Sequence, residues 1–197
     1  MVSVCSEFFL IVSLLSGAWS LVSPATASAN SIRDEWSGEY IFVETKKQLE
    51  RINRAILRAT DELDGVLKRI ATQRLSSAAR PYEKLKFEVL GDRIRTWLSG
   101  HGPWENGVDG HWINAVSADG THVRVMFREI AGDLVQTIKT RQGSRTNRFK
   151  LEDGGKTVRM HVKIESKKLP TPVMYSITYK RADVVATLCT NSLTIDG

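Results

Sequence analysis

The most reactive side chains of this 197-residue chain are four histidines and two cysteines, and their spacing fits no catalytic or metal-binding pattern. His101, His111, His122 and His161 never stand at the i, i+4 spacing of a helical metal pair, and no cysteine cluster accompanies them. His122 and His161 fall on the polar sides of alternating segments, where solvent exposure is expected. His111 lies near Asp109 and Asp119, a set that only folding could assemble into an acid–base site. There is no Gly-x-Ser-x-Gly elbow and no glycine-rich phosphate loop. Cys189 is a lone thiol near the end of the chain, expected to be incidental rather than nucleophilic. These residues support no catalytic set, no metal and no cofactor, and the expectation is a protein that is not an enzyme. The chemistry the sequence does favour is recognition by apolar and aromatic side chains carrying a few polar tips.

Those side chains need strands to position them. Val158, Met160, Val162 and Ile164 alternate with Thr157, Arg159, His161 and Lys163. Val173, Tyr175, Ile177 and Tyr179 alternate with Met174, Ser176, Thr178 and Lys180. A period of two puts each apolar set on one face of a sheet and each polar set on the other. Turn residues punctuate these runs at Gly132-Asp133, Gly143-Ser144 and Asp153-Gly154-Gly155, and Pro170 and Pro172 mark the last corner. Earlier strands are expected at Gly38–Val43, Lys84–Leu90, Arg93–Leu98, His111–Ala115 and Thr121–Arg128. Ser99 to Gly110, rich in glycine, is expected to bend or wrap an edge. Ser76 to Pro81 is expected to be a loop.

One strong helical pattern interrupts the strands. Thr45 and Gln48 fit a capping box, and Leu49, Ile52, Ile56, Ala59, Leu63, Val66, Leu67 and Ile70 follow at steps of three and four. That stripe is expected to pack on the sheet, with a kink or break possible at Gly65. Its surface carries Lys46, Lys47, Arg51, Arg54, Arg58, Lys68, Arg69 and Arg74, which could touch an anionic membrane transiently. A solvated face paired with Glu50, Asp61, Glu62 and Asp64 is the plainer reading. The cations are too dispersed to suggest nucleic-acid binding, and no recognition motif is present.

Phe8 to Val22 is mostly apolar, and Ala27-Ser28-Ala29 supplies a small-x-small cleavage pattern before Asn30. Residues 1–29 are therefore expected to be a signal peptide, although Glu7 is their only charge, and the protein is expected to be exported, periplasmic or secreted. Removing them would raise the formal net charge of +6 by one. Cys189 would then be the sole cysteine, so no internal disulfide would form. Residues 30–36 are expected to be a leader, 37–181 the folded domain and 182–197 a tail.

About nine short sequential strands must hide their edges, and an up-and-down antiparallel barrel does so most completely. With a helical segment between strands one and two, the chain resembles the calycin group, and most closely its fatty-acid-binding-protein-like branch, with lipocalins as further relatives. The residues carrying the likeness are Gly38-Glu39-Tyr40, the helical segment from Lys46 to about Leu75, Pro81, and Gly91-Asp92. Asp133-Leu134-Val135-Gln136, Lys150-Leu151-Glu152-Asp153-Gly154 and Tyr179-Lys180-Arg181 complete it. The resemblance implies a mainly β barrel with a helical lid, holding a small hydrophobic or amphipathic ligand inside. Members commonly grip a carboxylate with an Arg-x-Tyr pair on the last strand. Here Tyr179 fills the tyrosine position, Ile177 stands two residues before it, and Phe149 falls where an inward arginine of an earlier strand is expected.

The candidate lining residues are Tyr40, Phe42, Phe87, Phe127, Gln136, Met160, Tyr175 and Tyr179. A buried tyrosine hydroxyl needs a partner that a ligand could supply. The competing expectation is a structural or interaction protein of the cell envelope whose barrel is filled by these same side chains.

Overall fold

Period-two alternation becomes strand wherever the expected turn residues let the chain reverse. The computed structural model describes residues 34–117 and 119–186. The expected signal peptide and most of the tail lie outside the described residues. A 3₁₀ turn at Asp34–Trp36 leads into β1 (Gly38–Phe42), followed by α1 (Lys46–Thr60) and α2 (Gly65–Ala78). Then come β2 (Lys84–Leu90), β3 (Arg93–Leu98), β4 (His101–Gly107), β5 (Asp109–Val116) and β6 (His122–Ile130). The sheet continues with β7 (Asp133–Lys139), β8 (Gly143–Glu152), β9 (Thr157–Ser166) and β10 (Val173–Arg181).

All ten strands form one antiparallel sheet in the order β4-β3-β2-β1-β10-β9-β8-β7-β6-β5. The first strand therefore sits between the second and the last. Tyr40 lies opposite Leu85 on one side and Arg181 on the other. The sheet curls into a nearly closed barrel whose seam runs between β4 and β5. Each of those strands has a ladder on one side only, to β3 and to β6 respectively.

There are ten strands rather than about nine because Ser99–Gly110 is not merely a wrapping bend. It contains β4, which pairs with β3 through a bulge between the Thr96–Trp104 and Leu98–His101 pairs. Gly102 makes that bulge possible: it holds φ +105°, and a Cβ there would sit 2.6 Å from the Thr96 carbonyl oxygen. The reversal expected at Gly143-Ser144 is completed one turn earlier. Thr140 accepts from the Gln142 and Gly143 N–H groups, so Gly143 already opens β8.

The helical segment divides where Asp61–Asp64 turn the chain, and α2 runs on through Ala78, into residues expected to form a loop. Thr45 caps α1, its Oγ1 accepting from the Gln48 N–H. The other half of the capping box is absent, because Gln48 faces the sheet. Its Nε2 donates to the Val43 carbonyl and its Oε1 accepts from the Thr178 N–H. Arg51 adds a donor to the Ser176 carbonyl. Since β1 pairs with only the last three residues of β10, α1 shields the remaining β10 edge and satisfies part of its backbone. Ile52, Ile56 and Ala59 are buried as expected, whereas Val66, Leu67 and Ile70 of α2 are exposed. The tail begins with a short helical turn at 182–186.

Candidate ligand-binding site

Inward positions follow directly from the ladder register. Apolar residues fill most of them: Leu85 and Phe87 on β2, Val125 and Phe127 on β6, Leu134 on β7 and Phe149 on β8. Val158, Met160 and Val162 on β9 face Tyr179, Ile177 and Tyr175 on β10. Of the eight expected lining residues, Tyr40, Phe87, Phe127, Gln136, Met160, Tyr175 and Tyr179 are buried, and Phe42 is partly exposed.

These eight do not form one constellation. Tyr40 and Phe87 belong to the end of the barrel closed by Trp36, which is 1% exposed although it was expected to be part of a leader. Trp36 meets Phe87 edge-on at 5.8 Å, Tyr40 meets Phe87 at 6.1 Å, and the Tyr40 hydroxyl donates to the Gly155 carbonyl. Phe87 also touches Phe149, with ring centroids 5.1 Å apart. Four strand steps separate β2 from β8, on the order of 19 Å along the sheet at about 4.8 Å each. A direct ring contact therefore crosses the interior and fills it at that level.

The end beneath the helices differs in kind. Gln136, Asn147 and Arg145 face inward there, and the Asn147 Nδ2 donates to the Gln136 Oε1 at 2.8 Å. Arg145 donates through Nε to the Asn147 Oδ1 at 2.9 Å and through Nη1 to the Ala78 carbonyl at 2.6 Å. Its guanidinium lies 4.6 Å above the Tyr82 ring, a cation–π distance. Tyr175 donates to the Ala79 carbonyl at 2.8 Å, so two interior side chains hold the end of α2. Burial pushes the Tyr175 hydroxyl pKa up, and pushes that of Tyr179 up much further. Both stay protonated and able to donate at any physiological pH.

Three donors at this end show a mismatch. The buried Arg145 Nη2, Gln136 Nε2 and Tyr179 hydroxyl have no hydrogen-bond partner. Buried donors are normally paired, and leaving one unpaired costs about 1–3 kcal/mol, more for a charged group. Arginine remains charged, and no carboxylate is paired with it among the described residues. The cluster thus offers buried donors, one of them charged, without matching acceptors. The Tyr179 ring itself is tied down by Phe42 at 5.7 Å. Removing its unpaired hydroxyl with Tyr179→Phe should raise ligand-free stability by about 1 kcal/mol. Chemical denaturation that shows a loss instead would mean that the hydroxyl is satisfied.

Sequence reasoning did not single out Arg145 or Asn147. The signal was the alternation itself: with Phe149 inward, Asn147 and Arg145 follow at steps of two. Phe149 is inward as expected, and Arg148 faces out, donating to Asp133 at 2.6 Å.

Elsewhere, His161 Nδ1 and Ser176 Oγ lie 2.7 Å apart on the outer face of β9 and β10. This hydroxyl–imidazole pair is exposed to solvent. Partial burial, with Arg159 and Arg148 close by, pushes the His161 pKa below its ordinary value. The folded protein therefore releases this proton more readily than the unfolded chain. That contribution to stability is present above about pH 6.5, and is lost as pH falls through the folded-state pKa. An NMR titration should find His161 titrating below the usual histidine range; a normal value would contradict the crowding by the two arginines. His111 Nδ1 reaches Asp109 at 2.6 Å but is well exposed. Among the described residues no cluster of three or more His, Cys, Asp or Glu could hold a metal. A cleft of about 360 Å³ follows the seam, between Gly102–Glu105 and Ile113–Val116.

No family model matches the chain, and no curated protein matches it by sequence. Solved structures do resemble it. The REP1-NXSQ fatty acid transporter is 14% identical, covering 77% of this chain and 98% of its own, with TM-score 0.48. Fatty-acid-binding protein 1 of Echinococcus granulosus is 12% identical over 76% of this chain and 99% of its own, with TM-score 0.48. A luciferase domain from the dinoflagellate Lingulodinium polyedrum is 10% identical over 77% of this chain and 43% of its own, with TM-score 0.46. The likeness is one of fold. The ladder order gives a nearly closed ten-strand up-and-down antiparallel barrel with two helices between its first two strands.

Proposed function

We propose that this protein is an exported, non-enzymatic carrier of a small amphipathic molecule, held inside the barrel beneath α1 and α2. The observation that carries the reading is the buried guanidinium of Arg145, whose Nη2 is left unpaired beside the free donors of Gln136 and Tyr179. An anionic or strongly accepting head group would satisfy them together. The apolar body would lie toward Met160, Val162 and Phe127. The Phe87–Phe149 contact limits its length. Arg145 and Phe149 are four residues apart on one strand, about 13 Å, which favours a short or compact ligand. Export rests on the apolar stretch and small-residue pattern before Asn30.

Native mass spectrometry of the protein, purified as its own cells process it, is the test. The expected result is an added mass that organic extraction removes and that returns with short-chain acids. A bare mass that persists after incubation with a panel of lipids and acids would overturn the proposal. One observation favours a second reading. The cross-barrel contact of Phe87 with Phe149, capped by Trp36, is what a filled barrel requires, and such a barrel would serve as an interaction protein of the envelope.

A further inference from the structure

The apolar stripe of the helical segment divides into two fates. In α1 it packs against the sheet; in α2 its members face solvent. Val66 is 65% exposed, Leu67 59% and Ile70 42%, and Leu57 of the neighbouring helix is 54% exposed. Of the α2 residues only Leu75 is buried. Spacing that normally marks a packed face is here left uncovered, on the outside of the lid.

The charges around this patch are separated by sign. The elbow before it carries Asp61, Glu62 and Asp64; Arg54 and Arg58 lie on α1, and Arg69 and Arg74 farther along α2. Asp61 pairs with Lys68 at 3.0 Å and Arg54 approaches Glu50 at 3.9 Å. Glu62, Asp64, Arg58, Arg69 and Arg74 form no ion pair among the described residues.

We infer that this face of the lid docks on the same face of a second copy of this chain, α2 against α2 across a two-fold axis. An isologous contact requires a self-complementary surface. Antiparallel α2 helices centred near Leu67 and Lys68 would bury the apolar patch of each against the other. They would also place Glu62 and Asp64 of one copy beside Arg74 of its partner. The helix dipoles would oppose, which adds to the attraction. The acidic elbow is what decides against a bilayer. An anionic surface would draw in Arg58, Arg69 and Arg74, but it would repel Glu62 and Asp64 beside the very residues that would insert.

Sedimentation equilibrium on the processed full chain tests this, with and without short acids. The wild type is expected to approach the mass of two chains as concentration rises, more strongly at low salt. Leu67→Glu, at an exposed position that leaves the fold and melting unchanged, should return the monomer mass. Glu62→Arg should weaken association, and Arg74→Glu added to it should restore it, which only a partner of the same charge pattern can do. A wild type that is monomeric throughout, or a dimer indifferent to Leu67→Glu, would overturn the inference. So would co-flotation of a monomeric wild type, but not of Leu67→Glu, with phosphatidylglycerol vesicles, which would assign the face to a membrane.

Discussion

Arg145→Met is expected to remove affinity for acidic ligands while leaving the empty protein nearly as stable as before. The two effects separate because the guanidinium has different partners in the two states. Without ligand it donates to Asn147 and to the Ala78 carbonyl, and its Nη2 is buried and unpaired. Replacing a poorly compensated buried charge by an apolar side chain of similar length is often neutral or stabilising. The loss of two donated bonds offsets that gain, so the net change should stay within about 1 kcal/mol. With an anionic ligand the missing bonds are charge-assisted, worth about 1.5–3 kcal/mol. The dissociation constant should then rise roughly ten- to a hundredfold. Isothermal titration with a short carboxylic acid and with the matching alcohol reads this directly. The acid should suffer and the alcohol should not; equal losses would mean that Arg145 shapes the pocket rather than holding the head group.

The largest stability effect is expected from Phe149→Ala. The ring is fully buried and meets Phe87 across the barrel, so truncation leaves a void that neither strand can close without breaking its ladders. Phenylalanine-to-alanine changes at such sites cost about 3–5 kcal/mol. Domains hold only about 5–15 kcal/mol in total, so this variant should be marginal. For a domain of this size the melting midpoint should fall by roughly 10 °C. Phe149→Leu, which keeps most of the volume, should lose much less. A Phe149→Ala protein melting within a few degrees of wild type would show that the interior is loosely filled at that level. It would also lengthen the space available to a ligand.

The barrel was legible because its evidence is local and repeated. Val158 to Ile164 and Val173 to Tyr179 state their inward faces outright, and Gly91-Asp92, Gly132-Asp133 and Asp153-Gly154 mark reversals that the chain does take. The strand His101–Gly107 was hidden because Gly102, Pro103 and Gly107 dilute any alternation, and only pairing with β3 makes it a strand. Trp36 could not be assigned from its neighbours. Its burial depends on Phe87, fifty-one positions away. The inward positions followed from alternation, but their division into a closed end and a polar end did not. That division arises from ring contacts between strands far apart in sequence. Arg145 lies two steps of two before Phe149, on the same inward face, and only folding brings it beside Asn147 and the end of α2. The helical stripe misled for a different reason. Its spacing predicts a buried face, but beyond the turn at Asp61–Asp64 only Leu75 of α2, with Ala79 just past its end, reaches the core.

The place of β1 has a consequence for how the molecule is made. Tyr40 lies opposite both Leu85 and Arg181, so the earliest strand must wait for the latest before the sheet can close. That closure joins residues about 140 positions apart, a contact of very high sequence separation. Such contacts carry a loop-closure cost and slow the final step of folding. During synthesis β1 and β2 would present an unpaired edge until β10 emerges. Until then, Gln48 and Arg51 also lack the β10 backbone groups that they bond in the finished fold. A chain truncated before Val173 should therefore behave as an aggregation-prone open sheet rather than as a smaller barrel.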